Sequence, residues 1–522
     1  MTQYKEYTVT TKGLDRTDSV WDDLTSFSGS TTIPNRAVEV ANAREINPYN
    51  TSYFLTDEEA IDLRNDPRVV DVQDLSKLSL VKHAFQDSEF NKTSVNTGSK
   101  VNWGLLRHVR TSNVFGTSTA DPGGTYDYVL DGSNVDLVIV DSGIERLHPE
   151  FLTASGPSSR VIELNWFTAS GVTGTMPANH YTDYDGHGTH VAATAAGRTF
   201  GWAKNANIYS IKLDGLQGTQ DIGAGLSVAD TMDCILGFHL NKTNGRPTVV
   251  NNSWGYAIYW HENENILSYS ADPADPGFPI TSTTYRGTLY PTNVKDPARG
   301  QTGASLGGGT YSMPVRVAAI DADISLLLQY GIHVCNSAGN ESSKIDVVGG
   351  VDYNNYVSAA GLGDYYYNRG ASPSTGDGPG FEVGSLGPFT TSGLDRKSSF
   401  SNSGPGTDIY AAGGSIMSAV SNVNDGDTNF AYYANSSFKQ QVYSGTSMAS
   451  PQIAGLCALL LQVHPDWSPL KVKNWLTANA EPDMYATSLD NDYSNTSSIH
   501  GGNNRLAYFP LYGQKSYQMV AS

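Results

Sequence analysis

The sequence predicts an α/β protein: a three-layer domain on a mostly parallel sheet, preceded by a small α+β domain of ferredoxin-like order. Three observations lead there. From Trp103 onward, short apolar runs alternate with helix-period segments, the pattern of a sheet covered on both faces by crossover helices. Residues 1–74 carry strand and helix signals in the order βαββαβ, as in a split βαβ unit. Residues 75–101 show little periodicity and many Ser, Asn, Lys and Thr, which reads as a linker.

In the amino-terminal unit, Tyr4 to Thr10 alternates like a strand, and residues 15–27 suit a short helix. RAVEVAN (36–42) and NTSYFLT (50–56) are two further strands. Thr56 followed by Glu59 makes a capping box for the helix DEEAIDLRN, which the Asp66-Pro67 step terminates. RVVDVQ (68–73) supplies the last strand.

In the large unit, 102–522, the expected buried strands are VDLVIVD, RVIELN, NIYSIKL, TVVNNSW, IHVCNSAG, YVSAAG and DIYAAGG. The expected helices are HGTHVAATAAG, the stretch 223–242, VRVAAIDADISLLLQY and TSMASPQIAGLCALLLQ. Residues 256–313, rich in Tyr, Pro, Gly, Asp and Thr, read as an insertion of loops on this scaffold. A second stretch, 364–397, is Gly- and Ser-rich.

Composition narrows function. With 33 basic and 52 acidic residues the net charge is −19, against the basic footprint of a nucleic-acid binder. The three cysteines, Cys234, Cys335 and Cys457, lie far apart in apolar runs, so buried free thiols are expected rather than a disulfide framework. The amino terminus MTQYKEYTVTTKGLD lacks the apolar core of a signal peptide, and no run of about 18 apolar residues suggests a membrane span. An intracellular or virus-particle-associated protein is therefore expected ahead of classical secretion.

The chemistry-bearing residues fall at strand ends and helix starts, where open α/β sheets hold their sites. Asp141 ends the apolar strand VDLVIVD, His187 opens HGTHVAATAAG, and Ser447 opens TSMASP. A serine hydroxyl needs a base to become a nucleophile. Histidine is the usual base near neutral pH, with a carboxylate to fix its tautomer. The backbone N–H of a serine in a helix's first turn is unpaired and points at an oxyanion formed beside it. The side-chain amide of Asn340 could add a second donor.

DSGI at 141–144, HGTH at 187–190, AGN at 338–340 and GTSMASP at 445–451 resemble the signatures of the subtilisin-like peptidases, in that family's Asp, His, Ser order. WGLLR (103–107), SFSNSGPGTDIYAAGGSI (399–416) and HPDWSPLKVKNWL (464–476) extend the resemblance over roughly 102–512. It implies a serine endopeptidase acting on proteins or peptides through Asp141, His187 and Ser447, with Asn340 in the oxyanion hole. It also implies that Ser253, Trp254, Gly255, Ser337, Ala338 and Gly339 line the primary specificity pocket. Residues 1–74, through LRNDPRVVDVQ (63–73), resemble the family's propeptide, which implies an intramolecular inhibitor and folding aid followed by a processing site within 75–101. No cofactor is required; calcium as a structural ion is an expectation of the resemblance alone, and no metal ligands are assigned.

His190 lacks the glutamate of a zinc-peptidase HExxH and reads as a hydrogen-bonded structural residue. His148 reads as packing or capping, and Asp183 and Asp185 as ordering the loop before His187, with a cation site there as the other reading. Trp254 stands where bacterial subtilisins have an aliphatic residue, and Ala193 where the family often has glycine. The competing reading of the whole chain is a structural or virion-associated protein on this scaffold, uncleaved and inactive, meeting a larger assembly through 256–313.

Overall fold

The computed structural model describes residues 4–12, 20–26, 32–33, 36–42, 47, 49–75, 102–115, 128–153, 156–171, 173–177, 179–213, 227–291, 294–388, 394–423, 429–482, 484 and 498–510, and the backbone of 79–82 and 85–86. Parts of the expected linker, 76–78, 83–84 and 87–101, and residues 223–226 of an expected helix lie outside this set.

A 7-stranded sheet forms the centre, in the order Ile409–Ala412, Phe381–Leu386, His333–Ser337, Thr248–Asn252, Asp136–Asp141, Asn207–Lys212, Val161–Glu163. Every neighbouring pair is parallel. Leu137 and Ile139 face one apolar layer with helices His187–Ala196 and Thr446–Val463. Val138 and Val140 face the other, with helices Val228–Asn241 and Ala318–Gln329. Alternate residues of one strand thus feed two cores, which explains why these strands read as unbroken apolar runs. The helix Thr446–Val463 is apolar enough for a membrane span, at a hydropathy of 1.2, yet 89% of it is buried in this core.

The chain order reverses between the adjacent strands Asp136–Asp141 and Thr248–Asn252. Open sheets offer a crevice at such a switch point, beyond the carboxyl ends of the strands.

The amino-terminal unit has the expected βαββαβ order, with strands Lys5–Thr11, Val40–Asn42, Asn50–Leu55 and Val69–Gln73 in a 4-stranded sheet. Its helix Asp57–Arg64 starts with the expected capping box: Glu59 N–H donates to Thr56 Oγ1 at 3.1 Å and Thr56 N–H to Glu59 Oε2 at 2.8 Å. The first helix is described over Val20–Thr25, and residues 15–19 and 27 of its expected span lie outside the described residues. This unit rests on the start of helix Ala318–Gln329. Gln73 Oε1 accepts from Ala318 N–H at 3.1 Å. Asn50 Nδ2 donates to Ala319 O at 2.9 Å and Asp323 Oδ1 at 3.1 Å, and Asn47 also donates to Asp323.

Three expectations are corrected. The insertion is not a set of loops: strands Trp254–His261, Ile266–Ser268, Phe278–Tyr285, Thr288–Tyr290, Ala304–Gly307 and Thr310–Pro314 build most of a 9-stranded sheet. Tyr and Thr, frequent there, favour strands once a neighbour offers an apolar face, here Trp260, Met313 and Tyr365. YVSAAG belongs to this sheet, pairing antiparallel with Phe278–Tyr285, rather than to the parallel one. The seventh parallel strand is Phe381–Leu386, from the Gly- and Ser-rich stretch.

Candidate active site

Asp141, His187 and Asn340 arrive from three different elements at the crevice. Asp141 is the last residue of its strand and is 1% exposed. His187 is the first residue of its helix, and Nδ1 lies 2.7 Å from Asp141 Oδ1. That contact requires the helix start to press against the DSGI turn. A Cβ on Gly188 would stand 2.1 Å from Gly143 O, and Gly143 itself has φ +112°, so both motif glycines are steric necessities. With Nδ1 donating to the carboxylate, Nε2 presents its lone pair, and among the described residues it has no hydrogen-bond partner.

Ser447 is the second residue of its helix and fully buried. Its hydroxyl donates to Ser253 O at 2.7 Å, while Ser253 Oγ donates to Ser447 O at 3.0 Å. The hydroxyl is thus turned onto Ser253, the residue before strand Trp254–His261. Asn251 Nδ2 donates to Ser253 Oγ at 2.9 Å, and Ser450 Oγ to Asn251 Oδ1 at 2.8 Å. These bonds tie the Ser447 helix to the end of strand Thr248–Asn252.

Asn340 follows strand His333–Ser337. Its Oδ1 accepts from Thr446 N–H and Oγ1, both at 3.0 Å, which leaves the amide nitrogen as the end available to an oxyanion. Of the residues expected to line the specificity pocket, Trp254 and Gly255 lie on strand Trp254–His261, Ser337 ends its strand, and Ala338 and Gly339 follow it. Gly339 has φ +100°, and a Cβ there would meet Asn402 Nδ2 at 2.4 Å.

A buried network centred on Asp183, whose reach to Ser142 the sequence did not show, joins the first two groups. Asp183 accepts from Ser142 Oγ (2.9 Å), Gly186 N–H (2.8 Å), Thr189 N–H (3.0 Å) and Thr189 Oγ1 (2.5 Å). Ser142 Oγ in turn accepts from Gly188 N–H at 2.8 Å. Complete burial, with Asp185 nearby, pushes the Asp183 carboxyl up to about 6 despite these donors. Asp185 Oδ1 accepts from His187 N–H at 3.2 Å, so both acids order the loop as expected. His190 Nε2 lies 3.0 Å from Ile416 O and 3.2 Å from Gln441 O, its ring stacked on Tyr443. Burial, with His187 adjacent, lowers its pKa to about 3, so it donates as a neutral ring. His148 accepts from Glu150 N–H and packs on Tyr432 and Phe438. The three cysteines are free and buried.

The linker also contributes. The backbone of Ser79–Lys82 pairs antiparallel with the pocket strand, Lys82 opposite Trp254 and Ser79 opposite Ala257. Phe85–Gln86 pairs antiparallel with Tyr443–Ser444, just before the Ser447 helix. Short polar-flanked segments such as SLVK gave no strand signal because their partner edge belongs to a distant part of the chain.

Residues 132–502 match the description of the subtilase family. The chain belongs to that family. Among curated subtilase relatives, it is similar to an extracellular serine proteinase of Thermus sp. (strain Rt41A), 24% identical over 428 residues, covering 82% of this chain and 70% of the relative. It is also similar to subtilisin-like protease 5 of Arthroderma benhamiae, 25% identical over 409 residues, covering 78% and 67%. A crystal structure of fervidolysin from Fervidobacterium pennivorans, described as a keratinolytic enzyme related to subtilisin, aligns with a TM-score of 0.49 and 16% identity, covering 97% of this chain and 60% of that one. As a subtilase, the protein is a serine endopeptidase whose substrates are proteins or peptides.

Proposed function

We propose that Asp141, His187 and Ser447 are the catalytic triad of this subtilase, and that the chain is a self-inhibited precursor that cuts its own linker. The observation that carries this reading is the buried 2.7 Å contact of His187 with Asp141, which leaves Nε2 free for a proton. Ser447 Oγ, rotated off Ser253 O, gives its proton to Nε2 as it attacks the peptide carbonyl. Asp141 steadies the imidazolium, while Asn340 and the Ser447 N–H hold the oxyanion. His187 then protonates the leaving amine, and water, activated by the same nitrogen, releases the acyl group.

Support for the precursor comes from the linker pairings on either side of Ser447. Their strands are joined by His83 and Ala84, so the bond to be cut lies between Lys82 and Phe85. The amino-terminal unit, seated on Ala318, Ala319 and Asp323, holds that segment in place as an added strand.

The test is labelling by a fluorophosphonate after processing, together with the amino-terminal sequence of the processed chain. Wild type is expected to label and to begin at residue 83, 84 or 85. Ser447→Ala is expected to stay full length and unlabelled. A wild-type chain that stays intact and unlabelled in active-subtilase buffers would overturn the proposal in favour of an inert scaffold.

A further inference from the structure

The strand Trp254–His261 serves two structures at once. Along one edge Ala257–His261 pairs with Thr310–Pro314. Along the other, Tyr259–His261 pairs with the inserted strand Ile266–Ser268, and Trp254–Ala257 pairs with linker residues Ser79–Lys82. The assignment of edges follows from the doubled partners. Ala257 faces Pro314 and Ser79, and Tyr259 faces Ser312 and Ser268. Tyr256 turns its N–H to Ser372 O (3.0 Å) and its carbonyl to Val315 N–H (3.0 Å). By strand alternation, Gly255 and Ala257 therefore offer their backbone groups to the linker edge.

An incoming chain and the inserted hairpin thus compete for consecutive positions on one edge. The hairpin occupies it from Tyr259 onward, and only the position opposite Ile258 separates Ser268 from the residue paired with Ala257. Tyr269, which follows Ser268, fills the turn there; its ring packs edge-on against Phe278 at 5.5 Å.

We infer that the inserted hairpin is an end wall of the acyl-side cleft: it limits extended pairing of a substrate to the four residues facing Trp254–Ala257 and excludes chains that stay extended farther upstream. The inference rests on the peptidase reading above. A substrate must turn away, or begin, at the position opposite Ile258. Cleavage is therefore favoured near chain starts and in flexible segments, and disfavoured in segments held straight. The wall is built from the peptidase unit's own insertion and persists when the amino-terminal unit is gone.

The test uses the processed protein and four acetylated peptides: SLVKHAFQ alone, and the same sequence preceded by six residues of Gly-Ser, of Pro or of Thr-Val repeats. The unextended and Gly-Ser peptides are expected to share kcat/KM within about threefold. The oligoproline peptide, held near φ −65° and unable to turn sharply, is expected to fall tenfold or more. The Thr-Val peptide is expected to lie between them. Glu262 N–H donates to Gly309 O at 2.9 Å, so replacing 263–308 by Asn-Gly closes a two-residue hairpin without the wall; there the oligoproline penalty is expected to disappear. Should that deletion fail to fold, Tyr269→Ala is expected to reduce the penalty at least threefold. Equal cleavage of all four peptides by the wild-type protein overturns the wall while leaving the peptidase reading intact. Cleavage of none, the unextended peptide included, overturns both.

Discussion

Asn340 Oδ1 accepts both donors of Thr446, the residue immediately before Ser447, at 3.0 Å each. One of them is a backbone N–H, which can only donate, so the amide orientation is fixed, with the oxygen towards Thr446 and the nitrogen at the other end. The proposed nucleophile, Ser447, and the residue that orients the proposed oxyanion donor, Thr446, are thereby neighbours at one helix start.

Asn340→Ala is expected to lower kcat by 10²–10³ with little change in KM, about 3–4 kcal/mol, a magnitude that comes from subtilisin itself. Thr446→Val keeps the N–H and removes the hydroxyl, which also accepts from Gly339 N–H at 3.1 Å. A loss of about 1 kcal/mol, or roughly fivefold in kcat, is expected, and Thr446→Ser should restore it. Steady-state kinetics on a peptide substrate distinguishes the three variants.

Asp183 gives a pH signature. Its carboxyl titrates at about 6 in the folded chain against 3.8 for the free group. Below about pH 4 both states are protonated. Between there and about 6 the folded state holds the extra proton, so this group's stabilising contribution is lost as pH rises. The full loss is on the order of 3 kcal/mol. In a Ser447→Ala background, which prevents self-digestion, Asp183→Asn should remove that slope from denaturant midpoints measured between pH 4 and 7. It should also lower overall stability by about 1–3 kcal/mol, because an amide cannot accept from all four donors.

His190→Leu is expected to cost about 1–3 kcal/mol of stability by leaving Ile416 O and Gln441 O without their donor. Activity per folded molecule should stay within a few fold. Thermal unfolding and active-site titration check both, and a complete loss of activity in a folded protein would contradict the structural role.

Asn50→Asp sets a carboxylate against Asp323, where the amide now donates at 3.1 Å. Repulsion of about 2–5 kcal/mol is expected at an effective dielectric near 20. After processing, the amino-terminal fragment should then separate from the peptidase on gel filtration, whereas the wild-type pair should co-elute at the same concentration.

Much of this was legible in the residues. Buried strands such as Asp136–Asp141 announce themselves because both faces are covered, and HGTH carries a glycine, Gly188, that steric contact with Gly143 demands. The capping box at Thr56 needs only local spacing. What escaped depends on distant partners. Phe381–Leu386 looks like Gly- and Ser-rich coil until His333–Ser337 pairs with it. YVSAAG has strand character, but nothing local says which sheet it joins. The loop-ordering role of Asp183 was legible, but its bond to Ser142, a long stretch of chain away, was not.

The double use of Trp254–His261 carries a last consequence. Side chains of a strand change faces with every residue, so a slip of one position would exchange the faces taken by Trp254 and Gly255, which are proposed to line the pocket. The pairs of Ala257–His261 with Thr310–Pro314 oppose such a slip from beyond the cleft. The insertion is therefore the ruler against which the proposed pocket strand is aligned, and on that reading loosening it far from Ser447 would blur substrate choice before it touched the chemistry.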